Sequence, residues 1–225
     1  MQVQTKGLCN VKKSISIAIC TFILVIFAVS QSSATTISHR YIIPGTDCSI
    51  EFPWFFKVCS SEMDEYEPVL YEWDFDLDES LEIMRSGPYS IMAVDTDIDM
   101  MVSILVQQYD GESGIYTCSL SEESLKSLST EMAEQYFDSH EGCTPYKIKD
   151  PRSSMIFDYI KCLNWAYSSS YDGNISLTEH YYLVENTYAI DFIFDFPSEK
   201  QEDVVASILL ANDIMNSVRF NYMEK

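Results

Sequence analysis

The stretch Tyr188-Ala-Ile-Asp-Phe-Ile-Phe-Asp-Phe196 constrains this chain more than any other. Ile190, Phe192, Phe194 and Phe196 occupy alternate positions, with Asp191 and Asp195 between them. Side chains alternate faces along a strand, so the large apolar groups share one side and both carboxylates the other. Such a strand buries one face and can leave the other to water, as antiparallel sheets allow. Pro197 cannot continue the ladder. Ser198, with Gln201 three residues on, then reads as the cap of a helix. Val205, Ile208, Leu209, Asn212, Met215 and Val218 recur at helical spacing, which predicts that this side covers the aromatic sheet face.

The remaining elements are weaker but agree. Ser49–Val58 starts with strand-like alternation broken by Pro53, so it reads as an edge strand running into a turn. Tyr89–Tyr109 reads as two strands joined near Asp97–Asp99, followed by the turn cluster Asp110-Gly-Glu-Ser-Gly114. Ser119 and Glu122 fit a capping box, with Leu125, Leu128, Met132 and Tyr136 on one helical side and Gly142 placed to end the helix. Tyr146–Lys149, Ser154–Cys162 and Leu163–Ser170 read as strands. Asp172-Gly173 is a hairpin signal leading into Leu177–Glu185, and Asn186-Thr187 turns the chain into Tyr188–Phe196. Strands, a helix, a meander of strands and a covering helix make an α+β arrangement, a single antiparallel β-sheet covered by helices. With no repeat or linker, residues 31–225 are expected to form one domain.

The first thirty residues hold Lys6, Lys12 and Lys13 and no acid, followed by an apolar run from Ile15 to Val29. That run has the length of a signal-peptide core and is short of the roughly 20 residues a membrane span needs. Ala28-Val29-Ser30 is a small-x-small site that would cut before Gln31, and Ser32-Ser33-Ala34 is a second candidate. Residues 1–30 are therefore expected to be a signal peptide, and the protein to be exported, periplasmic or extracellular. An uncleaved segment would be its one membrane contact.

The whole chain carries 35 Asp and Glu against 14 Lys and Arg. Removing the leader takes away three basic residues and no acid, leaving 11 − 35 = −24. Nucleic-acid and anionic-lipid binding rest on Lys and Arg neutralising phosphates, so no nucleic-acid role is expected. Another envelope protein, a basic protein or weakly held cations are the partners this charge allows. From Glu62 to Glu82 there are ten carboxylates and no Lys or Arg. Asp74, Asp76 and Asp78 mimic the start of a calcium loop, but Glu79 stands where Gly is required and Arg85 where the closing carboxylate is required. Asp95, Asp97 and Asp99 fail likewise, with Met100 and Val106 at those places. Neither is a standard calcium loop, and the 74–78 stretch reads as a solvated acidic strip.

No catalytic, cofactor or metal residue stands out. Gly111-Glu-Ser113-Gly114-Ile115 is a near match to a nucleophile elbow, with Ile where the second Gly belongs. His39, His140 and His180 are far apart in sequence, and His180 reads as a half-exposed strand residue rather than a base. Cys48, Cys59, Cys118, Cys143 and Cys162 remain after the leader; none sits in a CxxC, and their pairing stays open.

"SIEFPWFFKV" (49–58), a helix before a four-strand meander, "YLVENTYAIDFIFDF" (182–196) and the closing "ANDIMNSVRF" (211–220) together resemble the PsbP-like superfamily. That group includes the extrinsic PsbP subunit of photosystem II, bacterial DcrB-like periplasmic proteins and a yeast Ran-binding import factor. Its early strand carries an FP-x-x-W-like start, whereas Trp54 here follows Phe52-Pro53 at once. Its last helix ends in Ser-aliphatic-basic-Phe, which Ser217-Val-Arg-Phe220 matches. The resemblance spans roughly residues 37–220 and rests mostly on packing signals. It implies an α/β/α sandwich, an acidic insertion near 62–82, and a non-catalytic binding or accessory role. The alternative is an envelope or extracellular hydrolase of unknown substrate.

Overall fold

The computed structural model describes residues 38–63, 82, 84–95, 97–109, 116–139, 143–145, 154–156, 160–171, 174–185, 187–197 and 201–220. The expected leader 1–30, residues 64–81 with Asp74, Asp76 and Asp78, the elbow-like turn at 111–115, His140, Gly142, the strand at 146–149, the turn at Asp172-Gly173 and the cap Ser198 lie outside the described residues.

Eleven strands and two long helices are described in the order β1 (Ser38–Ile42), β2 (Cys48–Pro53), β3 (Lys57–Ser60), β4 (Tyr89–Asp95), β5 (Met100–Gln108), α1 (Glu122–Ser139), β6 (Cys143–Pro145), β7 (Ser154–Ile156), β8 (Ile160–Tyr171), β9 (Asn174–Val184), β10 (Tyr188–Pro197), α2 (Gln201–Met215) and β11 (Arg219–Phe220). A 3-10 turn, Thr117–Ser119, precedes α1. Every strand pair is antiparallel. The fold is thus α+β, as the strand and helix patterns predict.

The sheet count differs from that expectation. An eight-stranded sheet runs β3-β4-β5-β10-β9-β8-β6, with β7 also on β8, and a three-stranded sheet runs β1-β2-β11. Pro53 is the reason. It has no N–H to extend a ladder, and the chain turns there, Phe56 N donating to Pro53 O at 3.0 Å. β2 stays in the small sheet and β3 joins the large one. β2 is consequently no edge strand, because Phe220 and Arg219 pair with Cys48 and Ser49 on one side and β1 takes the other. β7 and β8 likewise divide differently from the sequence reading: β8 runs unbroken through Cys162-Leu163, and Ser154–Ile156 pairs antiparallel with Ile160–Cys162 instead of forming one strand with it.

In register, Tyr181 stands opposite Phe192, and His180 opposite both Trp165 and Ile193. The large sheet therefore has two distinct faces. On one, Ile190, Phe192, Phe194 and Phe196 are buried with Leu177, Tyr181 and Leu183 against α2 and the inner side of β2. The buried side of α2 is Val204, Ala211, Ile214 and Met215, whereas Val205 and Leu209, placed inside by the sequence pattern, are 52% and 61% exposed. α2 touches both β10 and β2. It thus packs against strands of both sheets, and its small residue Ala211 is fully buried there. Asn212 does lie inward as expected, where its Oδ1 accepts from Tyr181 OH at 3.2 Å.

On the second face, Leu125 is buried with Leu163 and Trp165, and Leu128, Met132, Ala133 and Tyr182 pack around them. The apolar side of α1 is the one its spacing predicts, but the helix starts later than the Ser119–Glu122 box implies. The 3-10 turn uses Ser119, whose Oγ donates to Tyr116 O at 2.8 Å. Ser121 is the cap, its Oγ accepting from Ser124 N at 3.1 Å. α1 also completes the edge of β8. β7 pairs Ile160–Cys162 and β6 pairs Tyr167–Ser169, and between them the Asn164 N–H finds Ser129 Oγ at 3.1 Å. Both residues are buried. Ser129→Ala leaves that amide without a partner, and a loss of about 1–3 kcal/mol in urea unfolding is expected.

Candidate functional site

Below α1 the second face is not simply apolar. Trp165 on β8 and His180 on β9 are direct cross-strand partners, and their rings stack at 4.7 Å and 9°. Tyr136 from α1 and Tyr167 from β8 approach the imidazole at 5.6 and 5.8 Å. Their hydroxyls join at 2.8 Å. His180 is only 4% exposed, not half-exposed as its strand context suggests, because α1 roofs this part of the sheet.

Asp191 on the neighbouring β10 places both carboxylate oxygens 3.1 Å from His180 Nδ1. An ionised carboxylate only accepts, so Nδ1 carries the proton and a neutral ring keeps its lone pair on Nε2. Neither Nε2 nor the Trp165 indole Nε1 has a hydrogen-bond partner among the described residues. Each orphan costs on the order of 1–3 kcal/mol relative to a satisfied group. Asn164 anchors the strand behind the imidazole, its Nδ2 donating to Glu179 Oε1 at 3.1 Å and to His180 O at 3.0 Å.

Asp195, the second carboxylate of β10, accepts from the Thr178 hydroxyl. Burial pushes its pKa above the ordinary carboxylate value, against that hydrogen bond and the nearby His180. Glu185 at the end of β9 is raised by burial too, opposed by the Cys118 thiol. A carboxyl raised in the folded state holds its proton to higher pH than in the unfolded chain. Its contribution is therefore fully present below the unfolded value of about 4 and lost as pH rises through the folded value. Glu51 acts oppositely, lowered by the Ser38 hydroxyl and by Arg40. The difference between variant and parent isolates Asp195. Asp195→Asn keeps an acceptor for Thr178 and removes the buried charge. Its Tm is expected to exceed the parent's at pH 7, with the gap closing toward pH 4, in scanning calorimetry.

A separate cluster lies where the β1–β2 turn meets the start of β10. The Tyr188 hydroxyl donates to Asp47 and stands 3.4 Å from Cys48 Sγ. Burial raises the Cys48 thiol to about 12, so it is an inert packing group at neutral pH. Among the described residues, Cys48, Cys59 and Cys118 are free thiols. Cys48 and Cys59, which flank one short aromatic stretch, are not bonded to each other. Asp95, Asp97 and Asp99 form the expected β4–β5 turn, with Asp97 N donating to Asp95 Oδ1 at 2.9 Å and Asp99 in the left-handed region at φ 51°. No group of three metal-type ligands occurs among the described residues.

The sequence nominated no site residue, and the structure brings together Trp165, His180, Asp191, Tyr136 and Tyr167. His180 and Asp191 were singled out separately, one as a strand histidine and one as a solvent-facing acid. The signal available was register: the hairpins expected from Asp172-Gly173 and Asn186-Thr187 imply the β9–β10 pairing in which His180 stands beside Ile193, diagonal to Asp191.

No family model matches this chain, and no curated protein does. Solved structures are similar to it at low identity. A protein of Bacteroides thetaiotaomicron is 9% identical with a TM-score of 0.42; the likeness covers 80% of this chain, which spans only 47% of that one. LpqN of Mycobacterium tuberculosis, involved in cell envelope biogenesis, is 8% identical with a TM-score of 0.45, covering 80% of this chain and 90% of that one. Cyanobacterial PsbP (CyanoP) of Synechocystis sp. PCC 6803 is 11% identical with a TM-score of 0.39, covering 84% of this chain and 95% of its own. A PsbP protein, from the group whose motifs the sequence resembles, is thus among the structures similar to this chain.

Proposed function

We propose that this protein is an exported, non-catalytic binding or accessory module of the cell envelope or extracellular space. The observation that carries the reading is the environment of the His180–Asp191 pair. A hydrolytic base needs a nucleophile on its second nitrogen. Here Nε2 bears no hydroxyl or thiol among the described residues. Export rests on Lys6, Lys12, Lys13 and the apolar run to Val29, not on the likeness to LpqN. The charge of the mature chain favours a basic or neutral partner and only weak cation association, since the acidic strip lacks the Gly and closing carboxylate of a calcium loop.

The test is subcellular fractionation with mass measurement of the mature N-terminus, together with turnover assays on ester, glycoside and peptide substrates. A chain starting near Gln31 in the envelope or culture fraction, inactive on all three, is expected. An intact Met1 terminus on cytosolic protein overturns export. Turnover abolished in His180→Gln would replace this reading with the hydrolase.

A further inference from the structure

The two nitrogens under α1 that have no hydrogen-bond partner among the described residues are chemically complementary. Trp165 Nε1 can only donate. His180 Nε2, with the ring proton held on Nδ1 by Asp191 3.1 Å away, can only accept. Both side chains are more than nine-tenths buried, and both belong to one stack. We infer that Trp165 Nε1 and His180 Nε2 form a subsite for a hydroxyl oxygen, supplied by an internal water or by a small neutral ligand bearing a hydroxyl.

A hydroxyl is the smallest group that accepts and donates through one atom, taking the indole proton and giving its own to the imidazole. An anion would meet the Nε2 lone pair and a cation the indole N–H, so neither satisfies both nitrogens. Asp191 is committed to the opposite edge of the imidazole. The surroundings are aromatic and apolar: Tyr136, Tyr167 and Tyr182 with Leu163 and Met132. A buried water is held when two or more polar partners meet it, and the aromatic neighbours are of the kind a phenol ring packs against.

Nitrogen-15 NMR of the labelled exported protein tests this, with phenol as the hydroxyl probe and toluene as its equivalent without the hydroxyl. The expected His180 tautomer has Nδ1 protonated and Nε2 bare. The Trp165 indole proton is expected to resist exchange. If it also cross-relaxes with a long-lived water that phenol does not displace, the oxygen is an internal water. If phenol shifts both nitrogens and toluene does not, the oxygen is a ligand's hydroxyl. Trp165→Phe keeps an aromatic ring in the stack and should abolish either response. The inference is overturned by a proton on Nε2, by equal responses to phenol and toluene, or by an indole proton that exchanges freely and responds to neither water nor phenol. It is independent of the binding-module reading, since the tautomer and the water contact stand whether or not the protein is exported.

Discussion

Ala211→Asp is expected to lose about 3–5 kcal/mol of unfolding free energy, the usual scale for an uncompensated buried charge. Ala211 is fully buried where α2 presses on the aromatic face of the large sheet and on β2. Leu209→Asp, two residues earlier on the same helix, should stay within about 0.5 kcal/mol of the parent, as surface substitutions do. Paired urea melts decide it. Equal losses would mean that α2 is rotated toward the Val205–Leu209 side, and a small loss at Ala211 would mean that the helix does not seat on the sheet.

Trp165→Ala is the second large effect, a loss of about 3–5 kcal/mol from deleting a buried aromatic side chain. Trp165 links α1 to the sheet through Leu125, Leu128 and Met132 while stacking on His180. Its loss removes the flat surface that holds the imidazole as well as the apolar contact. Amide hydrogen exchange across 122–136 should accelerate more than exchange across α2, because the two helices serve separate clusters on opposite faces. Uniform acceleration would instead mean that both faces open as one unit.

Much of the fold was legible because it is local or strictly periodic. The alternation in 188–196 specifies a strand with one aromatic face, and that face is buried as expected. The spacing of Leu125, Leu128 and Met132 specifies the inner side of α1. The turn at Asp97–Asp99 needed only neighbouring residues. What was misread depends on partners distant in the chain. Apolar residues ring α2 broadly enough that spacing alone allows more than one buried side, and the second sheet contributed by β2 selects Ala211 over Leu209. The strand Ser38–Ile42 has no alternation of its own, and only its pairing with β2 makes it a strand.

The candidate site shows the same division. Sequence alone determined that His180 sits in a strand and that Asp191 points away from Phe192, since alternation dictates both. Only the tertiary structure decided that the two meet, because cross-strand register and the docking of α1 depend on contacts between segments tens of residues apart. That docking turns a face expected to meet water into one where an imidazole is buried with a carboxylate, the physical condition under which an unpaired nitrogen acquires consequences.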